Sequence, residues 1–311
     1  MTTTRHWASM GESTFVGGIW LLYWVHRLTG RWFFRLCLAP VVLVHWLTRP
    51  TLRHASLQYL RRLHAAHAVF DQPPGWRHGL RHVALFAETM LDKLLAMAGR
   101  FPSEQVRRHG RDNVKRAVQS GAGGIIVTAH VGCLELCRTL ADSQAQLKLN
   151  VLVHTRHAQA FNAVLHRLNP SAAITLIEVT EIGAPTAMLL AEKVAAGEFV
   201  AIAGDRVPVL QSKTATVNFL GHPAQFPVGA YVLAALLKCP LYLMGCVHEG
   251  RGYGVYFDTL SERVVLPRGQ REAALQEHAQ HFADALTALL RRSPYDWFNF
   301  FPFWDQHSNA E

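Results

Sequence analysis

A histidine and a glutamate share one short segment of the chain, residues 129–136 (AHVGCLEL). His130 follows an apolar run rich in β-branched residues, and Glu135 comes soon after it. A carboxylate that accepts a hydrogen bond from one imidazole nitrogen fixes the ring tautomer, so the other nitrogen can take a proton from a hydroxyl. The two residues fit general-base catalysis, although a helix-capping histidine beside a surface glutamate fits the spacing as well.

The local structure decides whether His130 and Glu135 can meet. On one continuous helix they would face apart, separated by about 140°. They can pair only if His130 lies in a strand-to-helix turn and Glu135 in the first turns of the helix. Ligands of open α/β sheets bind at the carboxyl ends of the strands, so a histidine at that position is well placed for chemistry.

A second candidate site follows another β-rich run, residues 199–203, at Gly204-Asp205-Arg206. This position again suits the carboxyl end of a strand. The guanidinium of Arg206 could bind a phosphate or a carboxylate. An ordinary turn with a surface ion pair is the alternative.

A third candidate lies at residues 217–230, where Gly221 and Pro223 belong to a segment with two prolines and two glycines before an apparent helix. We expect a shaped loop here. Backbone N–H groups at the start of the helix could face an anion. A plain β-turn is the alternative.

Other chemistries have little support in the sequence. A G-x-S-x-G segment, as in serine hydrolases, does not occur. His130, Cys133 and Cys137 form H-x2-C-x3-C, but a fourth ligand is missing, so we expect no metal and no bound cofactor. The five cysteines include no CxxC pair and lie mostly in apolar runs, which indicates reduced thiols; Cys133 fits a small buried side chain better than a nucleophile.

The elements that must position these residues alternate between strands and helices after about residue 121. This pattern predicts an α/β fold with a mostly parallel central sheet flanked by helices. A helix is expected over 79–97, and another from Ser103 to about Gly121. The predicted strands are 125–129, 150–154, 174–179, 199–203, 241–247 and 253–258. Further helices are predicted at 157–168, 183–196, 228–238 and 270–292.

The N-terminal part has a different composition. We predict two regions, an N-terminal helical membrane-associating region over 1–75 and an α/β domain over 76–311. The apolar stretch 32–47 contains Arg35 and Pro40 and is short for a spanning helix, which needs about 20 apolar residues. Interleaved tryptophans and arginines favour an anchor in the membrane interface. A buried helical hairpin and a single tilted span remain open.

The positive charge of the chain is concentrated in its N-terminal part. Residues 1–120 carry 17 Lys and Arg against 6 Asp and Glu, whereas the net charge of the whole chain is +9. A basic, apolar segment suits an anionic membrane surface or an acidic carrier protein equally well. We expect no nucleic-acid partner, because no basic arm, zinc-finger spacing or RNA-binding aromatic signature occurs.

Together these segments resemble the bacterial lipid A biosynthesis acyltransferase family, in a divergent branch of the lysophospholipid acyltransferase superfamily. The resemblance covers about residues 80–305. Its landmarks follow the family order: V-T-A-H-V-G-x-x-E with His130 and Glu135, H-T-R with Arg156 followed by Asn162, G-D-R with Asp205 and Arg206, F-L-G-x-P-A with Gly221 and Pro223, and S-P-Y-x-W-F at 293–298.

The resemblance implies transfer of a fatty acyl or polyenoyl group from an acyl carrier protein or acyl-CoA thioester. The acceptor would be a hydroxyl of a membrane lipid or glycolipid, at the cytoplasmic face of the bacterial inner membrane. It further implies His130 as general base, oriented by Glu135. The implied substrate-binding residues are Arg156, Asn162, Asp205, Arg206, Gly221 and Pro223.

Two other functions remain compatible with the same segments. The chain could be a thioester hydrolase of the same fold, which would release free acid without an acceptor. It could also be a non-catalytic membrane-bound scaffold that docks an acyl carrier protein. Retention of both His130 and Glu135 favours the enzyme.

Overall fold

The computed structural model describes residues 15–140, 147–153, 174–178, 183–207 and 213–305. Short 3-10 helices lie at Ser103–Gln105, Leu134–Leu140 and Arg268–Gln270. The α-helices are α1 (Phe15–Thr48), α2 (Pro50–His67), α3 (Trp76–Met97), α4 (Arg111–Gln119), α5 (Ala184–Ala195), α6 (Gly229–Leu237) and α7 (Arg271–Arg292).

The described strands form a seven-stranded sheet and a separate two-stranded hairpin. In the large sheet the order is β1-β9-β8-β2-β5-β3-β4, and all neighbours are parallel except β8 and β9. The strands are β1 (Val106–Arg108), β2 (Gly124–Thr128), β3 (Leu149–Val153), β4 (Ile174–Glu178), β5 (Phe199–Ala203), β6 (Thr214–Phe219), β7 (His222–Pro227), β8 (Leu241–Glu249) and β9 (Gly252–Ser261).

Strand β2 lies at the centre of the large sheet, and all its residues are buried. Ile125 and Val127 contribute to one hydrophobic core, which also contains Phe282 of α7. Ile126 contributes to a second core on the opposite face, together with Val114 of α4. A strand covered by helices on both faces needs apolar side chains at every position, which explains the unbroken apolar run before His130.

Helix α1 lies against α3 and buries only one of its sides. Its buried residues Phe34, Leu38, Val42 and Trp46 recur every four positions, the spacing of one helical face. The outward face carries exposed apolar side chains, so the alternative of a fully buried hairpin is wrong. These side chains include Trp24, Leu28, Trp32, Phe33, Leu36, Val44 and Leu47.

The same helix contains a segment, Trp24–Thr48, that is long and apolar enough to cross a membrane. Length and composition alone are weak grounds for a span. Helix α1 departs from helical geometry at Gly30, where φ is 82° and ψ 179°. Helix α2 shares a core with the sheet through Tyr59 and Leu60, and the division of the chain at residue 75 stays a prediction.

The predicted fold class is confirmed: helices flank a mostly parallel central sheet. Two local predictions are wrong. A strand, β1, interrupts the predicted helix after Ser103, because Val106 pairs with Tyr253 of β9. The predicted loop 217–230 is largely a β-hairpin, in which β6 and β7 pair. The predicted helix 157–168 lies outside the described residues.

Candidate active site

His130 occupies a tight turn directly after β2. The N–H of Val131 donates to the carbonyl of Ala129 at 2.7 Å, so the chain reverses around the histidine. Gly132 follows with a φ of 49°, and a Cβ atom there would lie 2.0 Å from the carbonyl oxygen of Cys246. Only glycine fits this position, and the close approach fixes where His130 leaves the sheet.

Asp205 lies at the equivalent position of the neighbouring strand. Thr128 of β2 and Ala203 of β5 are paired in register, and His130 and Asp205 each follow two residues later. The Nδ1 atom of His130 lies 2.8 Å from Oδ1 of Asp205, and the backbone N–H of His130 donates to Oδ2 at 2.9 Å. The register of two parallel strands therefore brings a histidine and a carboxylate together.

The carboxylate of Asp205 is fully buried but accepts hydrogen bonds from several N–H groups. Its Oδ2 atom also accepts hydrogen bonds from Nε1 of Trp297 at 2.9 Å and Nδ2 of Asn299 at 3.1 Å. With the two from His130, four N–H groups surround it. A buried carboxylate needs such partners to stay ionised.

The electrostatics favour a neutral imidazole beside an ionised carboxylate. Burial raises the pKa of Asp205, but the charge of His130, its hydrogen bonds and the charge of Arg206 outweigh it and hold the pKa well below its usual range. Burial lowers the pKa of His130, and the charges of Arg206 and Lys93 lower it further, against the opposing effect of Asp205. Near neutral pH, Nδ1–H donates to Asp205 and Nε2 carries a lone pair.

The imidazole is nevertheless accessible. The side chain of His130 is 36% exposed. Among the described residues, no hydrogen bond engages Nε2. The tautomer of the His130 ring is therefore fixed, and its unprotonated Nε2 atom can accept a proton at the carboxyl end of β2.

The expected pairing of His130 with Glu135 is not what the structure shows, because Asp205 holds Nδ1. The Oε1 atom of Glu135 instead lies 3.5 Å from Nζ of Lys93 on α3. Its Oε2 atom accepts a hydrogen bond from Sγ of Cys133 at 3.7 Å. The 3-10 helix Leu134–Leu140 directs this carboxylate toward α3. Among the described residues, the orienting partner of His130 is Asp205.

The thiol of Cys133 is unsuited to nucleophilic attack. It is fully buried, and burial together with the nearby charge of Glu135 raises its pKa well above the ordinary value. In the part of the chain that the structure describes, no group of three or more His, Cys, Asp or Glu side chains is placed to hold a metal ion.

A segment near the end of the described chain, residues 293–299 (the C-terminal brace), holds this turn from one side. The N–H of Phe298 donates to the carbonyl of His130, and the N–H of Gly132 donates to the carbonyl of Asp296, both at 2.9 Å. Arg206 secures the same segment by donating to Oδ1 of Asn299 at 2.8 Å. The brace thereby links the end of β2 to the end of β5.

A second histidine–aspartate pair anchors the brace to β8. Nδ1 of His248 lies 2.7 Å from Oδ1 of Asp296, and the backbone N–H of His248 donates to Oδ2 at 2.5 Å. The arrangement repeats that of His130 and Asp205: one carboxylate binds both the backbone and the ring of a histidine near the end of a strand.

The other predicted site residues have different surroundings. Arg156 and Asn162 lie outside the described residues. Gly221 and Pro223 are exposed at the turn of the β6–β7 hairpin, where Leu220 and Gly221 have φ values of 54° and 80°. Asp205 orients His130, and Arg206 holds the brace. Substrate binding by any of these six residues stays a prediction.

Sequence reasoning missed four residues of this arrangement. Trp297 lies in the S-P-Y-x-W-F landmark but had no predicted role, and Lys93, His248 and Asn299 carried no expectation. His248 near the end of a long apolar strand repeats the position of His130, which was a usable signal. Nothing in the sequence marked Lys93 or Asn299.

The chain also matches a known protein family. A sequence model of the family described as bacterial lipid A biosynthesis acyltransferase matches residues 80–306. This stretch begins within α3 and includes His130, Asp205 and the brace. No curated protein matches the chain.

We predict that Asp205→Asn destabilises the protein by about 3–5 kcal/mol, because an amide offers one acceptor oxygen where four N–H groups converge on a buried carboxylate. Urea unfolding in mild detergent measures the change. NMR titration should also show a lower pKa for His130, since the charge of Asp205 raises it.

The matched control is Asp284→Asn on α7, an exposed carboxylate that accepts from Gln280. It should change the free energy of unfolding by no more than about 0.5 kcal/mol. An Asp205→Asn variant that behaves like this control would contradict the role given to the four donors.

Proposed function

The chain belongs to the bacterial lipid A biosynthesis acyltransferase family and is an acyltransferase, and from that premise we propose its substrates and mechanism. The donor is a fatty acyl or polyenoyl thioester of an acyl carrier protein or of coenzyme A. The acceptor is a hydroxyl of a membrane lipid or glycolipid. His130 is the general base.

The proposed reaction is a direct transfer. Nε2 of His130 takes the proton of the acceptor hydroxyl while its oxygen attacks the thioester carbonyl. The C–S bond breaks as the tetrahedral intermediate collapses, and the protonated His130 returns its proton to the departing thiolate. The products are an oxygen ester and a free thiol, and no acyl-enzyme is needed.

One observation carries the assignment of His130. Its Nδ1 atom is held by a fully buried carboxylate, while its side chain is 36% exposed and its Nε2 atom has no hydrogen bond among the described residues. The carboxylate of Asp205 fixes the tautomer and stabilises the imidazolium that forms during transfer, as the aspartate does in serine hydrolases. The buried, protonated thiol of Cys133 supports direct attack over a covalent route.

Roles for the remaining residues follow from charge. Arg156 is proposed to hold a phosphate of the donor or acceptor, or to stabilise the oxyanion, with Asn162 beside it in the family motif. The ion pair of Glu135 with Lys93 places a cation near His130, and this cation lowers the pKa of the base. Glu135 is therefore proposed to influence the pKa of His130 indirectly, by holding Lys93 in place.

We further propose that the enzyme works at the cytoplasmic face of the inner membrane and attaches through the outward face of α1. Exposed tryptophans and leucines on this helix would enter the lipid interface, where aromatic rings are favoured. Attachment there keeps an apolar donor chain and a lipid acceptor near the same surface.

We predict that His130→Ala lowers acyl transfer by at least about 10²–10⁴-fold while the protein stays folded, because the variant lacks the general base. Labelled acyl carrier protein or acyl-CoA is incubated with total membrane lipid, and label in lipid is followed. His281→Ala, an exposed histidine on α7, is the matched control. Full activity of His130→Ala would disprove the mechanism, and release of free acid without acceptor would favour a hydrolase.

We predict that the midpoint of the acidic limb of the pH–rate profile lies below pH 6.5. The base works only when neutral, so kcat/KM falls as the pH drops through the pKa of His130, which lies below its ordinary value. The Lys93→Gln variant lacks one of the charges that lower the pKa of His130, so the acidic limb of its pH–rate profile should move to higher pH. An unshifted limb would show that Lys93 does not act on the base.

We predict that Leu28→Glu combined with Leu36→Glu weakens vesicle binding by at least about tenfold, because both exposed leucines lose their place in the lipid interface. Co-sedimentation with vesicles measures this. Leu236→Glu combined with Val265→Glu adds the same charges at other exposed apolar positions. Equal binding by the two double variants would contradict attachment through α1.

A further inference from the structure

The buried carboxylate of Asp92 on α3 joins α1 to the sheet. Its Oδ2 atom accepts a hydrogen bond from the guanidinium of Arg31 on α1 at 2.6 Å and another from the hydroxyl of Tyr253 on β9 at 2.9 Å. Among the described residues, its Oδ1 atom has no hydrogen-bond partner. Because a fully buried charge is costly without such partners, Asp92 holds both donors in place.

The ring of Tyr253 continues this connection across the sheet. Tyr253 lies opposite His248 in the antiparallel pairing of β9 with β8, and the centroids of the two rings are 4.2 Å apart. Residues opposite each other on antiparallel strands interact directly through their side chains. Asp296 of the brace in turn binds both the ring and the backbone of His248. One tyrosine therefore contacts α3 through its hydroxyl and the second histidine–aspartate pair through its ring.

The last contacts of this series reach the turn that carries His130. The carbonyl of Asp296 accepts a hydrogen bond from the N–H of Gly132 at 2.9 Å. Two residues further along the brace, the N–H of Phe298 donates to the carbonyl of His130 at the same distance. An unbroken path of contacts and of the brace backbone thus links α1 to the base. We call the residues of this path the α1–His130 network: Arg31, Asp92, Tyr253, His248 and Asp296.

Arg31 lies where α1 changes from an exposed to a packed helix. The chain departs from helical geometry at Gly30, directly before it. None of residues 24–29 is buried, whereas Phe34 after the break belongs to the core that α1 shares with α3. Leu28 is 78% exposed and belongs to the proposed membrane contact. A lipid surface that takes up Leu28 would therefore restrain the helix close to Arg31.

The break gives the first part of α1 a second arrangement. Glycine at a φ of 82° can adopt other backbone conformations without the steric cost that other residues meet, so residues 24–29 can reorient relative to the packed part of the helix. Coupling between separated sites is carried by packed side chains and hydrogen bonds that connect such a two-state element to the site. The α1–His130 network is a connection of this kind.

We propose that Arg31 and Tyr253 are positioning residues for His130, through which contact of α1 with a lipid surface sets the orientation of the imidazole. This inference rests on the proposed general base and on the proposed membrane contact. With α1 held at the lipid, the network fixes the turn around His130 and keeps its ring against Asp205. Away from lipid, the turn is held less firmly and the base is less well oriented.

The test breaks the network at its α1 end without leaving a buried charge unpaired. Arg31→Gln combined with Asp92→Asn, the network variant, replaces the ion pair by two neutral amides. The matched control, Arg35→Gln combined with Glu88→Gln, neutralises the neighbouring ion pair between the same two helices. Each double variant keeps the net charge of the chain. Circular dichroism verifies that both fold, and co-sedimentation verifies that both bind vesicles.

Carbethoxylation of His130 by diethylpyrocarbonate, followed by mass spectrometry of its peptide, measures the reactivity of the imidazole without an acyl donor or acceptor. Vesicles of phosphatidylethanolamine and phosphatidylglycerol should raise this rate at least about threefold in wild type and in the control, because the ring becomes better fixed. In the network variant the rate should change by less than about 1.5-fold, because the path from α1 is broken.

A second variant breaks the network away from the lipid-facing helix. Tyr253→Phe removes the hydroxyl that binds Asp92 and keeps the ring beside His248. Its control is Tyr242→Phe on β8, whose ring stacks on Phe257 outside the network. Tyr253→Phe should lose the response to vesicles and lower kcat of acyl transfer by about threefold or more, with KM for the donor within about twofold of wild type. The control should keep both the response and kcat.

Equal responses of the network variant and its control, or no response of wild type, would overturn the proposal. A fall in reactivity of equal size in wild type and in Tyr253→Phe would overturn it as well, because the lipid would then only cover His130. Failure of the proposed function gives a different result. If wild type transfers no acyl group, yet vesicles raise the reactivity of His130 and Tyr253→Phe abolishes the rise, the network stands and the proposed substrates are wrong.

Discussion

The site depends on one constraint: the carboxylate of Asp205 is buried and must be compensated by N–H groups. Four donors meet this need, two from His130, one from Trp297 and one from Asn299. They come from two separate parts of the chain, the end of β2 and the brace, so the end of β5, which carries Asp205, is fixed relative to both. Because the same carboxylate binds the backbone and the ring of His130, the orientation and the tautomer of the imidazole are set together.

The brace needs support of its own, and aromatic packing provides it. The indole of Trp297 contacts the rings of Tyr59, Phe219 and Phe303 at centroid distances of 4.9, 5.3 and 4.9 Å. On its other side, Nε2 of His82 lies 2.9 Å from the carbonyl of Trp297. Helix α2, helix α3 and the β6–β7 hairpin therefore support the candidate site through their contacts with Trp297. The pair of His248 with Asp296 attaches the brace to strand β8 of the sheet.

Much of the fold and part of the site could be predicted from local sequence patterns, and the two main exceptions have different causes. Apolar runs that end in polar residues located His130 and Asp205 at strand ends, since a buried parallel strand leaves that signature in the sequence. The partner of His130 could not be chosen locally, because Asp205 becomes adjacent only when β5 pairs with β2. The hairpin was missed because Pro223 and Pro227 argue against a strand, yet β7 pairs with a single neighbour and has an edge where a missing N–H is tolerated.

The order in which the parts of the site are synthesised has a consequence for folding. Asn299 lies 94 residues beyond the carboxylate that it caps, and His130 lies 75 residues before it. During translation β2 and β5 can pair while Asp205 still lacks two of its donors. Burying a carboxylate without enough hydrogen-bond donors is energetically unfavourable. We therefore expect this end of the sheet to stay unpacked in the nascent chain until the brace has been synthesised. The His130–Asp205 pair would then be among the last parts of the molecule to become ordered, so its geometry would form only once the chain is almost fully synthesised.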